Sequence, residues 1–333
     1  MNHNTWREVT NQLLFYQEPR CGLLPSPPDA RDFRFSVFAA AQALPPAFSR
    51  LDEMPVVRDQ GNLGTCVGFA SWAIKEWQEA QQRKVPEGGL SPGFIYALCK
   101  TLDGIPERRG TYLRTAMKVL QKHGTCSERN FKYLQDITKD VNPEQPDPED
   151  IKEAQQYRTK VYVQLQGIEE IKRAIVEQGP VLAGVFVTQS FLDARETIPM
   201  PSGRIYGGHA VCLCGYDGRG FLLMNSWGRD WGREGFSWLP YEFLTWKSDI
   251  GMPAFYEAWA CVDLPFTLKR ARQIILKIDS NVAYVDGERV LLDVPARILD
   301  RRTLVPVRFV AEKLGYLVNW QAETKTVELR RPD

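Results

Sequence analysis

From Cys66 to Gln82 the chain reads CVGFASWAIKEWQEAQQ, and its apolar positions Phe69, Ala73, Trp77 and Ala80 recur at the spacing of one helical face. That pattern predicts a helix beginning at the cysteine. Residues 91–100 and 111–123 predict two more helices, the second ending at Gly124, a residue suited to the left-handed position past a helix end. Residues 168–178 repeat the helical pattern until Gly179-Pro180 stops it. The texture then changes. VLAGVFV, HAVCLCGYD, GFLLMNSWG, GFSWLP and EAWACVDL are short and apolar, as strands are. Helices first and strands later predict an α+β protein with two lobes.

The stretches between carry less pattern. Residues 1–20 predict a short amphipathic helix. Residues 21–50 hold CGLLPSPPDARDFRF and ALPPAF, proline-rich and without period, and predict an extended segment lying on something else. Residues 136–150, DITKDVNPEQPDPED, predict an exposed acidic loop. A second boundary falls near residues 263–272. Beyond it, IILKIDSNVAYVDGERVLLD predicts a hairpin turning at Asp286-Gly287. TLVPVRFVAEKLGYLVNW then predicts strand, helix and strand, before a final KTVELR. The chain thus divides into an N-terminal arm over 1–44, a main domain over 45–265 and a small β-rich α+β domain over 272–331.

Composition narrows the function. A length of 333 residues allows one large or two unequal domains. Forty-two basic and 41 acidic residues leave a formal charge of +1, too little field to favour nucleic acid or an anionic membrane as a main partner. No stretch approaches the roughly 18 apolar residues of a membrane span. The first residues lack the basic and apolar regions of a signal peptide, so the expected compartment is the cytoplasm. Seven cysteines are an odd number with no CxxC pair. Cys212 and Cys214 fall on one face of a strand as core filler, and neither a metal site nor a cofactor is expected.

The chemistry gathers at three residues. Cys66 follows a glycine-rich turn and opens a helix, where unpaired N–H groups and the helix dipole favour a thiolate. Such a nucleophile needs a base. The histidines are His3, His123 and His209. His3 lies near the start of the chain, and His123 ends a helix, where a cation meets the dipole favourably. His209 heads an apolar strand directly after Gly207-Gly208. Asn225 follows it by sixteen residues, in FLLMNSWGRDWGREGFSW, and an amide beside an imidazole can fix its tautomer. Trp227 is placed to cover that hydrogen bond. Each residue alone is ordinary; their joint order points to an acyl-transfer site.

With Gln60 in DQG six residues before Cys66, and NSWGxxWGxxGF over 225–236, residues 45–262 resemble the papain family of cysteine peptidases. Its pattern places histidine and asparagine about 130–150 residues after the cysteine; here they follow by 143 and 159. The resemblance implies a two-lobed papain-like fold, a helical lobe plus an antiparallel β lobe, and a peptide or protein substrate. It also implies Cys66 as nucleophile, His209 as base, Asn225 as its orienter and Gln60 in the oxyanion hole. Gly110, Thr111 and Tyr112 would pair with the substrate backbone. Ala210 and Gly184 would line the main specificity pocket, with Trp227 at its edge. Two departures stand out. Leu63 replaces a half-cystine that tethers the active-site turn in secreted members, and Val67 replaces a tryptophan. No long helical pro-segment is present, so either there is no zymogen or the arm does a smaller version of that job. A thiol amidase or acyl transferase on the same fold, and a non-catalytic peptide-binding relative, stay as alternatives.

The C-terminal residues Leu304-Val305-Pro306-Val307-Arg308, Ala311, Leu314-Gly315, Val318 and Trp320 resemble the small stalk-like N-terminal domain of copper amine oxidases, as found in bacterial proteins. No histidine follows His209, so no copper is expected there. The resemblance implies protein or surface contacts. Such modules are common in exported proteins, which leaves export without a recognisable signal peptide as the alternative to the cytoplasm.

Overall fold

The computed structural model describes residues 18–29, 32, 43–82, 84–135, 138–249, 251–262, 273–292, 294–299, 302–314, 316–321 and 324–330. The helix expected over residues 1–20, up to residue 17, and the boundary expected at 263–272 lie outside them. The chain forms two compact units; the described residues up to 262 belong to the first and those from 273 to the second.

The first unit has a helical lobe built on α1, Cys66–Gln81. Phe69, Ala73 and Trp77 are buried as their spacing predicts, but Ala80 is exposed. Nearly every other side of α1 is buried too, because α2 (Pro92–Leu102) and α3 (Leu113–Lys122) pack around it. Each fully buried large apolar side chain contributes roughly 1.5–3 kcal/mol, so α1 is held by its surroundings more than by its own propensity. Ser91 caps α2, its side chain accepting Phe94 N–H at 3.1 Å. Gly124 takes φ 81° past α3 and donates to Val119 O at 3.0 Å. The acidic stretch is mostly the exposed loop expected, with two departures. Its last residues enter α4, Pro148–Ala154, through a capping box between Asp147 and Asp150, and Asp140 is 6% exposed.

Nine strands form the second layer, with α5 (Gly167–Glu177) and the short α6 (Gln189–Leu192). They are β1 (Leu23–Leu24), β2 (Phe48–Ser49), β3 (Thr111–Tyr112), β4 (Val161–Leu165) and β5 (Val181–Thr188). After these come β6 (Ile205–Asp217), β7 (Gly220–Met224), β8 (Phe236–Leu239) and β9 (Phe255–Val262). The order is β3-β1-β6-β5-β9-β4, with β2 and β7 also on β6 and β8 on β7. Only β1 and β3 pair parallel. β6 is the organising strand. Its 13 residues carry Gly208 opposite β1 and end at Asp217, which pairs with Gly220 of β7.

The second unit follows its predicted order. β10 (Ile274–Leu276), β11 (Val282–Val285) and β12 (Glu288–Leu291) form a three-stranded sheet. Its tight hairpin turns at Asp286 (φ 49°) and Gly287 (φ 91°), both left-handed. β13 (Arg297–Leu299) pairs with β14 (Arg302–Leu304), then α7 (Val307–Lys313) leads into the β15–β16 pair, Leu317–Gln321 and Thr326–Arg330.

Candidate active site

Cys66 is the first residue of α1 and is fully buried. Burial pushes its thiol up to about 11, while the backbone N–H groups of Ala210, Gly22, Val67 and Cys66 itself, turned on the sulfur, pull the other way. His209 stands on β6 opposite Val185. Its Nε2 lies 2.7 Å from Asn225 Oδ1. The same oxygen accepts Ser226 N–H at 2.8 Å, which fixes the amide and makes Nε2 the donor to it. Nδ1 is then left for the cleft, 3.2 Å from Arg20 O, to which it donates only when the ring carries both protons. Burial brings His209 down to about 4; Asn225 and the Arg20 carbonyl oppose this more weakly. The closed site therefore favours a neutral thiol and a neutral imidazole.

Trp227 covers the histidine, its ring centroid 4.5 Å away at a tilt of 34°. Phe191 meets both rings edge-on and stacks on Trp231. This apolar cover keeps water from the His209–Asn225 bond, as expected of Trp227. Phe191 has no motif of its own and was not legible in advance.

Gln60 reaches the same spot from the other side. Its Nε2 donates to Leu63 O at 2.6 Å and to Arg20 O at 3.2 Å. Its Oε1 accepts Ser226 Oγ–H at 2.7 Å. Thus Gln60 and His209 converge on one carbonyl oxygen. That oxygen belongs to Arg20 in the chain's own arm.

The arm fills the cleft. Leu23 and Leu24 pair with Thr111 and Tyr112, and Leu23 also lies opposite Gly208. Thr111 N–H donates to Gly22 O at 2.9 Å. Gly110 permits this approach, because a Cβ there would stand 2.3 Å from that oxygen, on a backbone at φ 81°. The fit is equally close at Gly22, whose added Cβ would lie 1.8 Å from Gly64 O. Leu23 points at Gly184, where a Cβ would come within 2.6 Å of its Cδ2 and close to Leu113 and Tyr256. Ala210 pairs with Gly184 across the sheet. Further along, Ser26 N–H donates to Glu257 Oε1 at 2.8 Å, and Ser26 Oγ accepts Arg114 N–H at 3.1 Å. Arg114 also pairs with Asp32, and Glu18 pairs with Arg204. A separate cavity of about 650 Å³, lined by Phe48, Tyr216, Arg219 and Trp238 among others, takes in neither Cys66 nor His209.

All ten residues singled out from the sequence come together at this cleft. Its occupant was expected as an extended segment lying on something else, or as an arm doing a smaller version of a pro-segment's job, and the parts of Ser226 and Glu257 were not foreseen. Among the described residues no cluster of three metal-ligating side chains occurs. Chemically, the cleft offers a thiol and an imidazole fixed by an amide. It adds a side-chain donor aimed where a peptide carbonyl rests.

Residues 48–247 match the family described as papain family cysteine protease, and residues 265–329 match a copper amine oxidase N-terminal domain. The latter stretch has no histidine and no cysteine, so the donors that copper favours are missing from it. A peptidase C1-like protein of Acanthamoeba polyphaga mimivirus, itself uncharacterized, is 32% identical over 216 residues, 60% of this chain and 67% of that protein. Cathepsin B-like CP3 of Giardia intestinalis is 27% identical over 195 residues, 55% of this chain and 63% of that one. The chain thus spans about two thirds of the length of these curated relatives. Among solved structures, xylellain, a cysteine protease from Xylella fastidiosa, is similar with a TM-score of 0.64 at 28% identity, over 75% of this chain and 98% of its own. Over residues 48–247 the chain belongs to the papain family of cysteine proteases.

Proposed function

We propose that this protein hydrolyses peptide bonds through Cys66 and His209, and that its own residues 18–29 keep the cleft closed until they are displaced. The observation that carries the reading is the convergence of Gln60 Nε2 and His209 Nδ1 on a single peptide carbonyl, each at 3.2 Å. When the arm leaves and water enters the cleft, desolvation of the pair is relieved and the proton passes from Cys66 to His209, before substrate takes the arm's place. The thiolate then attacks the scissile carbonyl. The developing oxyanion takes hydrogen bonds from Cys66 N–H and from Gln60 Nε2, the latter as Arg20 O does now. His209 gives its proton to the leaving amine and next takes one from the water that hydrolyses the thioester. Asn225 keeps Nδ1 facing the sulfur throughout.

Leu23 suggests what the specificity pocket accepts. A leucine side chain lies against Gly184, Leu113 and Tyr256, so substrates with a leucine-sized apolar residue at the matching position fit best. Thr111 would pair with their backbone as it pairs with Gly22.

The test is turnover of a fluorogenic leucine-containing peptide amide by the full chain and by Cys66→Ala. The variant is expected to lose all turnover and all labelling by a peptidyl epoxide while keeping its circular dichroism. Undiminished cleavage by Cys66→Ala would overturn the assignment.

A further inference from the structure

The turn that delivers Cys66 has no covalent tether. Leu63 stands where secreted relatives of the family carry a half-cystine, and all seven cysteines are free. Something else must hold Gly64 and Thr65. Gly64 N–H donates to Asp140 Oδ2 at 2.7 Å. The same oxygen accepts Arg109 Nε at 2.9 Å, and Asp140 is nearly buried. The Asp140 carbonyl accepts Tyr96 Oη–H at 2.7 Å, and Tyr96 Oη accepts Gly110 N–H at 3.0 Å. The stem of Arg109 lies against Gly64, its Cγ 2.6 Å from where a Cβ would be. One carboxylate thus joins the active-site turn to the segment that carries Gly110 and Thr111.

The consequence runs one bond further. Gly64 N–H and Leu63 C=O belong to the same rigid peptide plane. The N–H end is held by Asp140, and the C=O end accepts Gln60 Nε2 at 2.6 Å. Gln60 has two Nε2 hydrogens. One is committed to Leu63 O, and the other faces the carbonyl in the cleft. Orienting the Leu63–Gly64 plane therefore orients the second hydrogen. An anionic acceptor at one end also polarises the chain of hydrogen bonds in the sense that holds Gln60 Nε2 more firmly.

We infer that Asp140, paired with Arg109, is a positioning residue for the oxyanion hole, acting on Gln60 through the Leu63–Gly64 peptide. It takes the structural place of the absent disulfide. This rests on the peptidase reading, and the test separates the two.

The experiment compares Asp140→Ala, Asp140→Asn, Gln60→Ala and the Asp140→Ala/Gln60→Ala pair in the full chain carrying Gly22→Ala, a substitution chosen to open the cleft. In Asp140→Ala, kcat falls about ten- to a hundredfold with little change in KM, the loss expected of a displaced donor. Binding of a peptide aldehyde, which forms an oxyanion on Cys66, weakens by the same factor. Alkylation of Cys66 by iodoacetamide, which forms none, keeps its rate. Asp140→Asn retains an oxygen for Gly64 N–H and recovers most of the turnover. In the Gln60→Ala background, Asp140→Ala costs nothing further, because its route to the oxyanion is already cut. Equal losses with and without Gln60, or alkylation falling in step with kcat, would overturn the inference. If Asp140→Ala does not fold, Asp140→Asn and Arg109→Gln carry the same aldehyde and alkylation comparison. If the reference chain neither cleaves peptide nor takes a peptidyl epoxide, the peptidase reading itself fails.

Discussion

Cys66 and His209 are shifted in opposite directions by one cause, the removal of water from a pair that has not yet exchanged its proton. For His209 the sign works against stability in acid. The unfolded ring takes up a proton near 6.5, whereas the native ring waits until about 4. Native stability therefore falls as pH drops from 6.5 through 4, by about 3 kcal/mol for a gap of that size. Cys66 acts at the other limb. The native thiol holds its proton to about 11 against an ordinary value of 9.0, so stability falls again as pH rises from 9 towards 11. Urea unfolding of the wild type and His209→Gln from pH 7 to pH 4 isolates the acid limb. The wild type should lose about 3 kcal/mol more than the variant over that range. Parallel losses would mean that the imidazole is already charged in the native cleft. At this scale the catalytic candidates were legible because each is a residue type that the chemistry cannot replace, at a spacing that a motif preserves. Asp140 was not, because its role comes from a backbone N–H 76 positions away, and backbone donors leave no trace in composition.

Elements carry the proposed regulation. β1 is only two residues long, yet it sits between β3 and β6 and closes the cleft from within. Its grip depends on glycine. A Cβ on Gly22 would lie 1.8 Å from Gly64 O and 2.3 Å from Gly64 C, both backbone atoms that cannot rotate away. Gly22→Ala should therefore eject the arm without touching any group of the proposed mechanism. Peptide turnover by the full chain is expected to rise at least about tenfold, the change that 1.4 kcal/mol of lost arm binding produces, and an added synthetic peptide of residues 18–29 should inhibit it. Unchanged turnover would show that substrate already displaces the arm freely. Helices and long strands were legible here because periodicity and apolar runs belong to the segment itself. β1 and β2 were not, and β3 was expected only through the family resemblance. A two-residue strand has no period, and its pairing is decided by partners far along the chain, such as Leu23 with Gly208. The acidic loop is mostly as exposed as its polarity predicts, but Asp140 is held inside by Arg109, Gly64 and Tyr96.

On the scale of the whole chain, the two units differ in how they use their apolar residues. The first buries an extended core from Leu23 to Cys261. The second, among its described residues, buries Ala283, Leu292, Ala296, Ala311 and Val318 but leaves Leu291, Val294, Ile298 and Leu299 more than half exposed. Exposed apolar side chains at that density are unusual for a monomeric surface. None of the groups assigned to catalysis, the specificity pocket or the arm lies beyond residue 262. A chain ending at 264 should therefore cleave the leucine peptide within about twofold of the full chain, as expected of a domain with its own core. Calorimetry should resolve two transitions in the full chain and retain only the first in the shortened one. Loss of turnover with the C-terminal residues would mean that the peptidase unit does not stand on its own core.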